Sequence, residues 1–131
     1  MVAGSRREAR ERALELLYEA DARDAPLASV VEDLIAPDPF VVSLVRGVDG
    51  VLGEVDGWIE RLSRGWTINR MPVVDRAILR IAIYELLHAP ETPTGVVISE
   101  AVELAKRYST EDSGRFVNGV LASVAAATRS P

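Results

Sequence analysis

The stretch Val73-Val74-Asp75-Arg76-Ala77-Ile78-Leu79-Arg80-Ile81-Ala82-Ile83-Tyr84-Glu85-Leu86-Leu87-His88 decides the fold. Pro72 stands at its start, where a proline opens a helix without losing a needed donor, and Pro90 and Pro93 stop it. Ala77, Ile78, Ile81, Tyr84 and Leu86 follow the helical period. Apolar residues cover much of the circumference from Val73 to Leu87, so this is the fifth and most buried helix, with partners on several sides.

The same period recurs on both sides of this helix, and the sequence has no period-2 strand or internal repeat. Ala9, Ala13, Leu16, Leu17 and Ala20 line a first helix over 5–23. Leu27, Val30, Val31 and Leu34 mark a short second one, stopped by Pro37 and Pro39. Asp38-Pro39 is an N-cap and first-turn signal for a third helix, Phe40 to Leu52, ending at Gly53. Val55, Trp58, Ile59 and Leu62 form a fourth that stops near Gly65. Thr94 is the expected cap of a sixth helix through Val97, Ala101, Leu104 and Tyr108. Ser109 or Thr110 starts a seventh, striped by Val117, Val120, Leu121 and Val124. Thr128 to Pro131 are expected to fray. The fold class is therefore all-α, about seven helices in two small bundles, residues 1–53 with three helices and 54–131 with four, together one compact domain.

Composition bounds the function. The chain has 131 residues, enough to bury roughly two-thirds of its unfolded surface. It has no Cys, which excludes disulfides, thiolate metal sites and thiol nucleophiles and suits a reducing cytoplasm. No secretory signal or membrane-spanning run is visible. The net charge of −5 argues against a uniform nucleic-acid coat. The charge is segmented, however: residues 21–60 hold nine acids and two bases, whereas 61–80 hold five Arg and one Asp. The first twelve residues are also basic, and 14 of the 15 basic residues are Arg, the side chain suited to bidentate phosphate contacts.

Catalytic signatures are missing. No phosphate-binding or dinucleotide glycine loop occurs, and His88 sits alone at a helix end, where it favours the helix C-terminus. Gly47, Gly50, Gly53 and Gly57 read as packing or terminator positions. Glu100/Glu103 and Glu111/Asp112 read as solvated faces and a helix start. No metal-ligand cluster is found.

The first helix carries what a core does not require. At roughly 100° per residue, Arg10 falls about −60°, Leu14 about −20° and Tyr18 about +20° from Arg7, facing away from the core stripe. Two guanidiniums suit phosphates and an exposed phenol suits an unpaired base; the same residues equally suit a protein contact. On the seventh helix, Phe116 lies off the middle of the apolar stripe, either as edge-of-core packing or as a second contact residue.

Four blocks carry a resemblance: Arg6-Arg7-Glu8-Ala9-Arg10-Glu11-Arg12-Ala13-Leu14-Glu15-Leu16-Leu17-Tyr18; Val74 to Leu86; Ile98-Ser99-Glu100-Ala101-Val102-Glu103-Leu104-Ala105-Lys106; and Glu111-Asp112-Ser113-Gly114-Arg115-Phe116-Val117-Asn118-Gly119-Val120-Leu121. Together they resemble the NusB family of bacterial transcription antitermination factors along nearly the whole chain, the last block most specifically. The resemblance implies an all-α protein without catalytic activity or cofactor. It implies pairing with NusE, a small-subunit ribosomal protein, on boxA RNA of ribosomal transcripts, alongside NusA, NusG and RNA polymerase, as monomer or homodimer.

Matching positions would place Arg6, Arg7, Arg10 and Tyr18 against RNA, with Asp112, Phe116 and Asn118 from the last block. Asp75, with Arg76, Arg80 and Glu85 on the same helix, would face NusE. Glu8 and Glu11 dilute the Arg run, which implies weak RNA binding alone and basic help from NusE. Two other readings stay open: an RNA-binding accessory domain working with an RNA methyltransferase, and a self-associating scaffold.

Overall fold

A computed structural model describes residues 5–63, 68 and 70–129. Its seven helices are α1 (Arg6–Ala22), α2 (Ser29–Glu32), α3 (Pro39–Gly50), α4 (Leu52–Leu62), α5 (Val73–His88), α6 (Thr94–Tyr108) and α7 (Glu111–Thr128). No strand occurs among the described residues.

The helix starts follow their local chemistry. Ser5 and Glu8 form a reciprocal capping box ahead of α1, the Ser5 hydroxyl accepting from the Glu8 N–H at 3.1 Å. Asp38 accepts from the Phe40 N–H at 2.8 Å, with Pro39 at the first turn of α3. Thr110 caps α7 by accepting from the Ser113 N–H at 3.0 Å.

Helix α5 is the hub. It packs against α1, α3, α4, α6 and α7, and ten of its sixteen residues are buried. Ala77, Ile78, Leu79, Ile81, Ala82, Ile83 and Leu86 face every neighbour at once, which is why the sequence here is apolar nearly all round. The buried cluster runs unbroken from Ala9 to Ala125 and draws on both halves of the chain. Gly47 lets α3 approach α5, since a Cβ there would overlap the Tyr84 ring.

Several sequence expectations shift. α3 ends at Gly50 rather than Gly53, and Val51 (φ −128°, ψ 28°) breaks the chain between α3 and α4. The first of the two closely spaced glycines already weakens the helix enough for the turn to form there. α4 ends at Leu62; Gly65 lies outside the described residues. Thr94 does not cap α6: it is the first helical residue after Pro93, and its hydroxyl accepts from Arg129 instead.

The expected fraying from Thr128 onward does not hold for Thr128 and Arg129. Thr128 ends α7 and bonds the Val124 carbonyl. Arg129 inserts its guanidinium among the carbonyls of Glu85, Leu86, Ala89 and Thr92. The Leu86 carbonyl has no helical donor because Pro90 stands four residues on, and Arg129 supplies one; Glu85 and Ala89 already accept from the Ala89 and Thr92 N–H groups and gain a second donor. Ser130 and Pro131 lie outside the described residues.

Candidate nucleic-acid interface

The outward face of α1 is flanked by α3 on one side and by α5 and α6 on the other. Arg6 is exposed and lies over the Phe40 ring of α3, 3.8 Å from its centroid. Arg7 is also exposed, but its Nε and Nη2 donate to the two carboxylate oxygens of Glu100 on α6, at 3.0 and 2.8 Å. This pair holds the Glu100 carboxyl below its ordinary range, because Arg7 donates to the ionised form. Glu100 is thus not the solvated acid its spacing suggests.

Glu11 crosses to α6 in the same way. It accepts from Arg107 at 2.6 Å and from the Tyr108 hydroxyl at 2.9 Å, and that bond raises the phenol's pKa by favouring its protonated form. The two helices are therefore laced by long-range pairs.

Arg10 departs most from expectation. It is buried, and its guanidinium forms two parallel hydrogen bonds to Glu85 of α5, at 2.9 and 2.8 Å. Both side chains are buried, so the outward-facing reading of Arg10 and the partner-facing reading of Glu85 are corrected for the protein alone. Leu14 is corrected as well: it is buried, not outward. A helix with neighbours on two flanks buries more than one stripe, and Arg10 and Leu14 lie on the flank that meets α5 and α6.

Tyr18 does face out, at 50% exposure. With Leu14, Glu15, Val74 and Tyr108 it lines an open groove of about 320 Å³. Tyr108 is a groove residue that the sequence reading counted only as part of the sixth helix's apolar register. At 43% exposure it lies at the edge of that register, and an aromatic there was the available signal.

Next to Val74, Asp75 is wholly buried and accepts from the Ser113 hydroxyl of α7 at 2.8 Å. Its other oxygen has no hydrogen-bond partner among the described residues. This bond ties the first turn of α5, and with it the groove, to the first turn of α7. Along α7, Asp112 is exposed and paired with Arg115, Asn118 is exposed, and Phe116 is half-buried against the core.

The remaining α5 residues read as partner-facing are internal ties. Arg76 is buried and donates to the Ile68 carbonyl and to Asp21, each at 2.8 Å. Arg80 is half-buried and forms a bidentate pair with Asp56 at 2.8 Å. The basic segment 61–80 is thus partly neutralised by acids drawn from 21–60 and is no free patch at these two positions. Arg64 lies outside the described residues. His88, without an assigned partner in the sequence, meets Glu54 at 2.9 Å.

Among the described residues no group of three or more His, Cys, Asp or Glu can hold a metal ion, and no helix is long and apolar enough to cross a membrane. A helical bundle that sets exposed Arg and Tyr beside an apolar groove belongs to the class of binding modules for RNA or protein.

Comparison with known proteins narrows that class. The NusB family profile matches residues 7–126. The chain is 50% identical to the transcription antitermination protein NusB of Salinispora arenicola over 129 residues, covering 92% of this chain and 95% of that protein. The NusB of Salinispora tropica matches to the same extent. Among solved structures, T. maritima NusB superposes with a TM-score of 0.89 at 36% identity, over 98% of this chain and 96% of that one. A crystal structure of antitermination factors NusB and NusE in complex with dsRNA superposes at 0.78 and 32% identity, over 93% and 96%. The chain belongs to the NusB family.

Proposed function

We propose that this protein acts in transcription antitermination as an RNA-binding adaptor. It takes boxA RNA of nascent ribosomal transcripts jointly with NusE, in the cytoplasm, within an assembly of NusA, NusG and RNA polymerase. It works by binding and positioning, with no bond made or broken. The observation that carries this reading is its 50% identity, over nearly its whole length, to proteins described as transcription antitermination factors. A fold shared with a NusB that is bound to NusE and RNA supports the same partners.

In this reading Arg6 and Arg7 contact phosphates and Tyr18 stacks on a base, with the groove beside it as an apolar floor. Arg7 and Tyr18 are separated by about three helical turns, roughly 16 Å, a span that suits a few nucleotides of single strand. Asp112, Phe116 and Asn118 continue the path along α7, which the Asp75–Ser113 bond holds beside the groove. Asp75, Arg76, Arg80 and Glu85 act from inside, by holding α5 against α1, α4 and α7.

The test is a titration of boxA RNA with this protein, with and without NusE. NusE is expected to raise the affinity for boxA over a scrambled RNA of equal length. No such gain in the presence of NusE overturns the reading.

A further inference from the structure

We propose that Glu100 sets the RNA affinity of this protein by holding Arg7 in a neutral pair that RNA has to open. The inference rests on Arg7 being a phosphate contact. Glu100 is then a positioning residue that acts through Arg7 and touches no RNA itself.

The geometry carries the argument. Glu100 occupies the Nε–Nη2 edge of the Arg7 guanidinium with both carboxylate oxygens, at 3.0 and 2.8 Å. A phosphate would use that same planar fork, so carboxylate and phosphate compete for it. The two partners differ in access. The Arg7 side chain is 56% exposed, at the rim where RNA arrives, whereas the Glu100 side chain is 15% exposed. Glu100 also feels the charges of Arg10 and Arg107, which keep it on this edge when Arg7 lets go, and its charge then faces the incoming strand.

The same balance repeats along this edge. Arg10 is matched by Glu85 and Arg107 by Glu11, so three guanidiniums meet three carboxylates. An approaching phosphate finds little net charge there. Arg7 is the member of the set that is both exposed and on the outward face of α1, and its partner is the one whose loss frees a phosphate ligand.

The experiment measures binding of single-stranded boxA RNA, and of a scrambled RNA of equal length, to the full chain at low salt by fluorescence anisotropy. Glu100→Gln is expected to tighten both RNAs by about two- to fivefold, since an exposed pair of this kind is a modest competitor. The gain is equal for the two RNAs because phosphate contacts carry no sequence. The slope of log K against log salt steepens by up to about 0.7, the increment for one phosphate on a single strand.

Glu60→Gln is the charge-matched control, exposed on α4 and outside the set of carboxylates that act on Arg7, and is expected to change affinity less than twofold. An equal gain from Glu60→Gln assigns the effect to bulk charge and overturns the proposal. If Arg7→Gln weakens binding while Glu100→Gln does not strengthen it, Arg7 is a contact but is not masked, and the proposal fails alone. If Arg7→Gln changes nothing, the phosphate reading of Arg7 fails first. A second measurement needs no variant at α6: in the unmodified chain, RNA is expected to shift the Arg7 Nε–H resonance, and an unmoved resonance at saturating RNA overturns the exchange of partners.

Discussion

Arg10 and Glu85, 75 residues apart in the chain, close a two-bond ion pair inside the bundle at 2.9 and 2.8 Å. Ile78, Ile81, Ala82, Val97, Ala101 and Leu104 surround it, so little solvent reaches either group. The pair pins α1 to α5 beneath the proposed RNA face. It makes a member of the N-terminal Arg run part of the frame. Breaking one side leaves the other charge buried and alone, which costs about 3–5 kcal/mol. Arg10→Ala and Glu85→Ala are therefore each expected to lower the urea midpoint sharply, whereas Arg10→Met with Glu85→Leu recovers most of the loss. An unchanged midpoint in Arg10→Ala would show that the pair is open to water.

Arg129 is expected to matter well beyond its place after the last helix. Its bonds reach the carbonyls of Glu85, Leu86, Ala89 and Thr92 and the Thr94 hydroxyl, joining the end of α7 to the α5–α6 connection. Arg129→Ala strands the Leu86 and Thr92 carbonyls, while Glu85 and Ala89 keep their backbone donors, and is expected to cost about 2–3 kcal/mol. Lys, a single point donor, restores less than half of it. Hydrogen exchange in residues 85–94 is the direct readout: faster exchange in Arg129→Ala is expected, and unchanged protection refutes the clasp.

Tyr18 offers its ring to solvent at 50% exposure, so Tyr18→Ala is expected to spare the fold. RNA binding should weaken by about 1–3 kcal/mol if the ring stacks on a base. Arg7→Glu is expected to weaken RNA binding too, with the helical circular dichroism intact. Loss of that signal in either variant would mean that the side chain supports the core instead.

The Arg7–Glu100 pair gives a pH dependence of defined sign. The folded state lowers the Glu100 carboxyl below its usual value near 4.5, so folding favours the ionised form. The pair's contribution is complete above that usual value and is lost as pH falls through the lowered one. A side-chain carboxyl titration by NMR is expected to place the Glu100 midpoint below 4.5, and Arg7→Gln is expected to move it up. A midpoint indifferent to Arg7 would argue against the pair in solution.

The architecture was largely legible because its signals are local. A proline opens α5, Asp38-Pro39 opens α3, Thr110 opens α7, and the 3.6 period of Val117, Val120, Leu121 and Val124 marks a buried stripe. The outward position of Tyr18 followed from the same arithmetic. The angle that placed Tyr18 outside failed four residues earlier, at Leu14. A helical wheel gives direction around one helix but not how far its neighbours wrap it, and α5 and α6 reach the flank where Leu14 and Arg10 lie.

Charge was the least legible feature. The net charge of −5 and its segments describe a chain with an acidic stretch before a basic one. Folding brings the two together, Asp21 on Arg76 and Asp56 on Arg80, and cancels part of both. Seven helices and the central place of α5 are written in the chain itself, because hydrophobic period and capping act over one or two turns. Which arginines stay available is settled by the packing of the helices. Pairing across 75 positions for Arg10–Glu85 and 93 for Arg7–Glu100 depends on how α1, α5 and α6 pack, and no local rule carries that distance.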